Sequence, residues 1–247
     1  MNVLVACEES QKVCVEFRKL GHEAYSCDIQ EPSGGHPEWH IKGDALLYLE
    51  PIFDNIRFLT MDGKLHSIFK WDLIIAHPPC TYLSNAGACR LYPNKGKIDK
   101  ERYQKGLEGK EFFMHFLSAH CERICVENPI PSKVFELPKY TQIIQPYEYG
   151  HPYSKKTCLW LKGLPNLIPT NVVEPVGPYV CGNSEIWKKQ KKNGVVYGKE
   201  KSAKHRSKTF DGIAKAMAEQ WSSFCELPDE QQRQMLLKNT DMPKKLF

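Results

Sequence analysis

A chain of 247 residues, 41% of them hydrophobic, suits one large α/β domain, or one domain with a small appendage, around a real core. No apolar run approaches the roughly 20 residues a membrane span needs, and the opening MNVLVACEES is neither a signal nor a transit peptide, so a cytoplasmic protein without a membrane partner is expected. The net charge of +5 is uneven: residues 182–208 carry eight Lys and one Arg against two Glu, or +7, which leaves the rest at −2. A basic segment on a slightly acidic body fits a polyanion partner, or else a solvated lysine-rich insertion.

In chain order, residues 2–7 read as a buried strand and residues 10–20 as a helix, with Val13, Val15, Phe17 and Leu20 as its apolar side and Gly21 as its stop. Residues 22–27 form a second strand that ends at Asp28. Strand, turn, helix, strand and acid open a Rossmann-like unit, in which the acid accepts hydrogen bonds from a ribose. The turn, Cys7-Glu8-Glu9-Ser10-Gln11, lacks the glycines that let a backbone approach a pyrophosphate. Two glutamates would repel phosphate, which argues against NAD, FAD or a nucleoside triphosphate. S-adenosylmethionine, with an adenosine and two positive groups but no phosphate, is compatible. Either Glu8 or Glu9 faces its ammonium, or both are solvated acids at a helix start. Asp44 is placed to meet an adenine amino group, or is an ordinary turn aspartate. Residues 57–69 read as a hairpin about Asp62-Gly63.

The stretch WDLIIAHPPCTYLS, residues 71–84, holds a continuous apolar run that suits a central parallel strand. It runs into His77-Pro78-Pro79-Cys80. Two prolines end the strand and stiffen the loop at the edge where ligands bind, so Cys80 is a candidate nucleophile. Residues 85–100 are rich in Gly, Pro and Asn. A helix over 102–120 follows, with Leu107, Phe112, Phe113, Phe116 and Leu117 as its core side. Residues 123–126 form the next buried strand and lead into Glu127-Asn128-Pro129. Residues 140–149 and 156–161 suggest two more strands, and residues 210–224 a helix with Ile213, Ala214, Met217, Ala218 and Trp221 on one face. The tail, 226–247, is polar and peripheral. The chain has ten cysteines but no CxxC pair and no zinc-like spacing, so reduced thiols and no metal site are expected.

These residues resemble the DNA cytosine-5 methyltransferase family, in the short form carried by bacteriophages. Pro78-Pro79-Cys80 with Ser84 is similar to that family's nucleophile motif, and Glu127-Asn128 to its Glu-Asn motif. GHPYSKKTCLWL, residues 150–161, resembles its Gly-x-Pro-Gln-x-Arg-x-Arg strand, with Tyr153 for Gln, Lys155 for the first Arg and Thr157 for the second. Residues 210–218 resemble its closing helix. The resemblance implies a Rossmann-like S-adenosylmethionine-dependent fold, a mostly parallel sheet with helices on both faces. Residues 1–225 would be the methyltransferase domain, with a basic insertion at about 165–208 in place of a full target-recognition domain, and 226–247 a tail. It further implies Cys80, Glu127, Asn128 and Lys155 as catalytic residues. Cys7, Glu8, Glu9, Ser10, Asp28, Asp44, Pro78 and Ala214 would line the S-adenosylmethionine site. Ser84, Tyr153, Lys188, Lys189, Lys191, Lys192, Lys204 and Arg206 would meet the nucleic acid, and Trp187 and Tyr197 would stack on bases or pack the loop.

The implied reaction is methyl transfer to cytosine C5 in DNA through a covalent Cys80 adduct, with single-stranded DNA or RNA as further substrates. Glu127 would hold or protonate N3, which needs a carboxyl whose pKa burial has raised. His77 either serves as a base or packs. The altered first loop and Thr157 also fit a catalytically inactive relative that binds nucleic acid or a host partner. An amino-methyltransferase fits less well, because His77 and Cys80 flank the two prolines.

Overall fold

The computed structural model describes residues 1–51, 54–88, 90–93, 96–179 and 207–241. A seven-stranded sheet runs through the molecule in the order β3-β2-β1-β6-β7-β9-β8. Its strands are β1 (Asn2–Ala6), β2 (Glu23–Asp28), β3 (His40–Lys42), β6 (Leu73–Ala76), β7 (Ile124–Pro129), β8 (Gln142–Ile144) and β9 (Thr157–Lys162). The first five in chain order pair in parallel, and β9 lies antiparallel to both β7 and β8. The two remaining strands, β4 (Ile56–Leu59) and β5 (Leu65–Ile68), form the expected hairpin apart from the sheet. Gly63, at φ 85°, supplies the left-handed residue that its turn requires.

The central strands are apolar over most of their length because both faces are covered. Val3, Val5, Leu73, Ile75 and Cys125 meet one helical layer, α1 (Lys12–Lys19) and α4 (Asp211–Cys225). Leu4, Ala6, Ile74, Ala76, Ile124 and Val126 meet the other, chiefly Phe113 and Phe116 of α3 (Lys100–Ser118) with Phe58 and Trp71. A short α2 (Asn85–Ala88) precedes α3, and α5 (Asp229–Asp241) ends the described chain. The tail is therefore helical over Asp229–Asp241, and its Gln232 accepts a hydrogen bond from Arg123 at 2.9 Å beside the start of β7.

Three elements differ from the expected patterns. The apolar side of α1 is Val13, Cys14 and Phe17, while Leu20 is 44% exposed. The helix has ended at Lys19, and Gly21 turns the chain away at φ 80°. On α3, Leu107 is exposed and Gly106 takes the inner position, where a Cβ would stand 2.1 Å from the Phe135 ring. The strand expected over 140–149 pairs only at Gln142–Ile144, because Pro146 has no N–H to extend the ladder and begins a short 3-10 turn. The face of α4 is as the spacing predicts: Ile213, Ala214, Met217, Ala218 and Trp221 are all buried. No helix among the described residues is long and apolar enough to cross a membrane.

The strand order reverses between β1 and β6. Loops leaving the carboxyl ends of those two strands diverge there and open a crevice. They are residues 7–11 and residues 77–84, the two stretches singled out by sequence.

Candidate active site

His77 makes the last ladder bond of its loop, donating its N–H to Ala6 O at 2.9 Å. Pro78 and Pro79 lack the donor to continue, so the chain leaves the sheet at that point. The freed carbonyl of Pro78 is not left bare: Asn128 Nδ2 donates to it at 2.9 Å. Further along, Ser84 N–H donates to Cys80 O at 3.0 Å, and Ser132 N–H to Leu83 O at 2.7 Å. These bonds fasten the loop after β6 to the loop after β7. Cys80 is half-buried and outside any disulfide on that fastened loop.

Glu127 is the residue β7 presents beside it. The β6–β7 register pairs Ala76 with Val126, so positions 77 and 127 come next to each other. Their side chains meet: His77 Nδ1 lies 2.8 Å from Glu127 Oε2, with only 9% and 12% of the two side chains exposed. This overturns the raised carboxyl expected at Glu127. Burial is the largest single influence and pushes its pKa up, but the hydrogen bond and charge of His77, with the charge of Lys155, hold it below the ordinary carboxylate value. His77 is the mirror case. Burial pushes the imidazole down, and the hydrogen bond and charge of Glu127, with Glu8 behind them, lift it above its ordinary value against Lys155. Both shifts run toward the charged pair, carboxylate with imidazolium. Sequence patterning missed it, although the flush ends of two neighbouring parallel strands were a usable signal.

Lys155 reaches the same pair electrostatically from the loop before β9, and its ammonium lies 5.8 Å from the Phe210 ring centroid. Thr157 donates its hydroxyl to Lys155 O at 3.2 Å and is buried at the start of β9. Tyr153 packs among aromatic rings beside Lys155. Ser84 is buried, and its Oγ accepts the Gly87 N–H at 3.2 Å, so it shapes the turn into α2 rather than offering a surface to a strand. Lys188, Lys189, Lys191, Lys192, Lys204 and Arg206, with Trp187 and Tyr197, lie outside the described residues.

On the β1 side neither glutamate is a solvated helix-start acid. Glu8 is 4% exposed, and its two oxygens accept the Val13 and Cys14 N–H groups at 2.7 and 3.2 Å. It caps α1 from outside the helix, with one N–H on each oxygen. The same two N–H groups are what a phosphate at this helix start would need. Glu9 is buried with Lys208 Nζ 3.9 Å away, and Ser10 is buried beside it. Gln11 clasps His36 through its side chain, accepting from His36 N at 3.1 Å and donating to His36 O at 2.8 Å. A Cβ on Gly34 would stand 2.6 Å from Gln11 Cβ, so the 33–36 loop lies directly on the first loop.

Asp28 and Asp44 come together. Gly43 N–H donates to Asp28 O at 2.9 Å, and both carboxylates act on the thiols of Cys7 and Cys27. Burial first, then these acids, push Cys27 up to about 12, and Cys7 is raised in the same way. Asp44 also caps the following 3-10 turn through Leu46 N–H at 3.0 Å. Pro78 is buried with its carbonyl on Asn128. Ala214 does not line this patch: it is 1% exposed in the apolar layer under α4. The patch is acidic, and the Val13 and Cys14 N–H groups beside it are taken by Glu8. No group of three or more His, Cys, Asp or Glu side chains that could hold a metal occurs among the described residues.

Glu8 gives a pH signature. Burial raises its carboxyl from 4.5 to about 7, opposed by the His77 charge and the two N–H bonds. A carboxyl that holds its proton more tightly when folded makes the fold less stable as pH rises from its unfolded value to its folded one. The expected loss between pH 4.5 and 7 is up to about 3 kcal/mol. Urea unfolding at pH 5 and pH 8 checks this: Glu8→Gln should lose distinctly less stability over that span than the parent, whereas parallel losses would contradict it.

No protein family matches the chain, and no curated protein does. Among solved structures it is similar to a protein described as a DNA modification methyltransferase encoded within a prophage of E. coli. The two share 15% identity at a TM-score of 0.38, over 75% of this chain and 56% of that one. The chain thus spans little more than half the length of that protein.

A cleft of about 510 Å³ opens at the opposite end of the sheet, among Trp71, Asp72, Cys121, Arg123 and Lys162. None of the residues assembled around Cys80 lines it.

Proposed function

We propose that the chain is an S-adenosylmethionine-dependent methyltransferase that acts on cytosine C5 in DNA, with Cys80 as nucleophile. The observation that carries this reading is the fastening of the Cys80 loop to Glu127-Asn128 at the strand-order reversal, through the His77–Glu127 and Asn128–Pro78 contacts. Residues 1–225 act as the methyltransferase domain, with the basic insertion at about 165–208 and a tail from 226. A cytoplasmic setting suits the eight described cysteines, all free thiols.

Asp28 and Asp44 would hold the adenosine part of the cofactor beside Cys7. When bound, S-adenosylmethionine supplies an electrophilic methyl group. The chain makes C5 able to accept it. The Cys80 thiolate forms a bond to C6, and the electron pair of the C5–C6 double bond moves toward C5. The ring's growing charge collects at N3 and O2. Lys155 lies close enough to the pair to offset charge at O2, and the Glu127–His77 pair holds the proton that N3 requires. Since Glu127 is a carboxylate, that proton resides with His77 until the base is bound. After C5 has gained the methyl group its proton passes to solvent water, the C–H electron pair re-forms the C5–C6 double bond, the S–C6 bond breaks, and the thiolate returns. A cytosine within a duplex would have to be flipped out, at a cost of a few kcal/mol.

One observation favours a second reading, a non-catalytic nucleic-acid-binding relative: the 33–36 loop is clasped onto the first loop by Gln11. Transfer of labelled methyl groups to duplex DNA, single-stranded DNA and RNA tests the choice. Labelled cytosine is expected. Absence of both methyl transfer and calorimetric cofactor binding would favour the second reading.

A further inference from the structure

Three segments bring aromatic rings together beside Lys155. Tyr153 comes from the loop before β9, Tyr179 from the last described residues before the basic stretch, and Phe210 from the residue before α4. Ring centroids lie 5.3 Å apart for Tyr153–Tyr179 and 4.7 Å for Tyr179–Phe210, the latter edge-to-face. His151 adds a fourth ring 5.0 Å from Phe210, and its Nε2 accepts the Gly212 N–H at 3.0 Å. The backbone supports the grouping, since Tyr179 N–H donates to Ser154 O and Ser154 N–H to Gly177 O, both at 2.9 Å.

These rings lie at the margin of the core, with Phe210 packed against its apolar layer. Phe113, Phe116, Trp160 and Trp221 are almost wholly buried, but Tyr153, Tyr179 and Phe210 are each only half-buried. Each keeps some ring surface accessible, at a place where a cation also sits. Lys155 stands 5.8 Å from the Phe210 centroid, and its charge is felt at Glu127 and His77. The β7–β9 register sets Thr157 against Pro129, so this cluster stands at the same end of the sheet as Glu127. Tyr179 and Phe210 also flank residues 182–208, the most basic stretch of the chain, in sequence.

We infer that Tyr153, Tyr179 and Phe210, with Lys155, form a stacking platform for an unpaired nucleotide next to the target cytosine, so that the preferred substrate is a single strand. Aromatic faces beside a cation take any unstacked base, because every base has a π-face, while the cation takes its phosphate. A duplex offers phosphates but keeps its bases stacked, so it gains only the charge. The inference rests on the methyl-transfer reading of the Cys80 site, whose neighbouring nucleotide the platform would hold.

The test is fluorescence anisotropy of the full chain with a labelled single-stranded oligodeoxynucleotide and with its duplex, at one fixed salt concentration. Tyr153→Leu keeps apolar volume and removes the π-face. It should weaken single-strand binding by about tenfold and leave duplex binding unchanged. Tyr153→Phe should bind like the parent. Tyr179→Leu provides a second reading of the same platform, and a thermal melt confirms that each variant is folded. Equal losses for both forms of DNA, or no loss in folded variants, would overturn the platform. The two ideas fail separately. A parent chain that shows the single-strand preference but transfers no methyl group keeps the platform as a binding site and removes the enzyme reading. A parent that methylates without the preference does the reverse.

Discussion

Cys80→Ser is expected to lower methyl transfer by at least about a thousandfold, while cofactor binding and the thermal midpoint stay at parent values. The chemistry sets the size of the effect. A thiol is a few per cent ionised at neutral pH and is intrinsically nucleophilic, whereas a serine hydroxyl needs a base aimed at it. Cys80 is half-buried, and its own carbonyl and that of Pro78 accept hydrogen bonds that hold the loop. The substitution should therefore remove the nucleophile and leave the scaffold intact. Radiolabel incorporation into cytosine and calorimetry of cofactor binding separate the two. Transfer at a tenth of the parent rate or better would exclude Cys80 as the nucleophile.

The second large effect falls on stability as well as activity. His77→Leu leaves the Glu127 carboxylate buried without its imidazole, and breaking a buried pair in this way costs about 3–5 kcal/mol. For a chain of this size that is a fall in midpoint of about 10 °C. Removing both charges should cost less: the double variant His77→Leu, Glu127→Leu is expected to melt above the single one, because no unpaired charge remains. The pH dependence follows from the two directions of shift. Glu127, held below its ordinary 4.5, contributes stability that is present above that pH and is lost as pH falls through its folded value. His77, raised above its ordinary 6.5, contributes stability that is complete below that pH and is lost as pH rises through its folded value. The pair should therefore stabilise most between about pH 4.5 and 6.5. Denaturation of parent and double variant across pH 4 to 9 checks this. A difference that is flat, or largest at pH 9, would contradict the assigned charges.

What local pattern could reveal, and what it could not, divides along a physical line. The apolar run of β6 and the 3.6-residue spacing of Ile213, Ala214, Met217, Ala218 and Trp221 are local, and the structure buries them as their spacing requires. The stop at Gly21 was legible, but the choice of Cys14 over Leu20 as a core residue was not. That choice depends on where α1 ends against β2, which no periodicity encodes. Glu8 and Glu9 looked like acids favoured by a helix start. The left-handed residues Cys7 and Gln11 instead turn the chain so that Glu8 reaches forward to cap α1. Gly106 on α3 was invisible because its reason is the Phe135 ring, about thirty residues away. The His77–Glu127 contact is likewise long-range: it depends on the register of β6 against β7, and it reverses the electrostatics that burial alone would give Glu127.

The central claim is a sulfur bond from Cys80 to a pyrimidine. The parent chain should be incubated with S-adenosylmethionine and a single-stranded oligonucleotide whose cytosine carries fluorine at C5. Fluorine cannot leave as a proton does, so the adduct cannot collapse. Mass spectrometry is expected to find protein joined to one methylated oligonucleotide, and peptide mapping to place the bond on Cys80. Methylation of the ordinary oligonucleotide with no trapped species from the fluorinated one, or a bond to any other cysteine, would contradict the account.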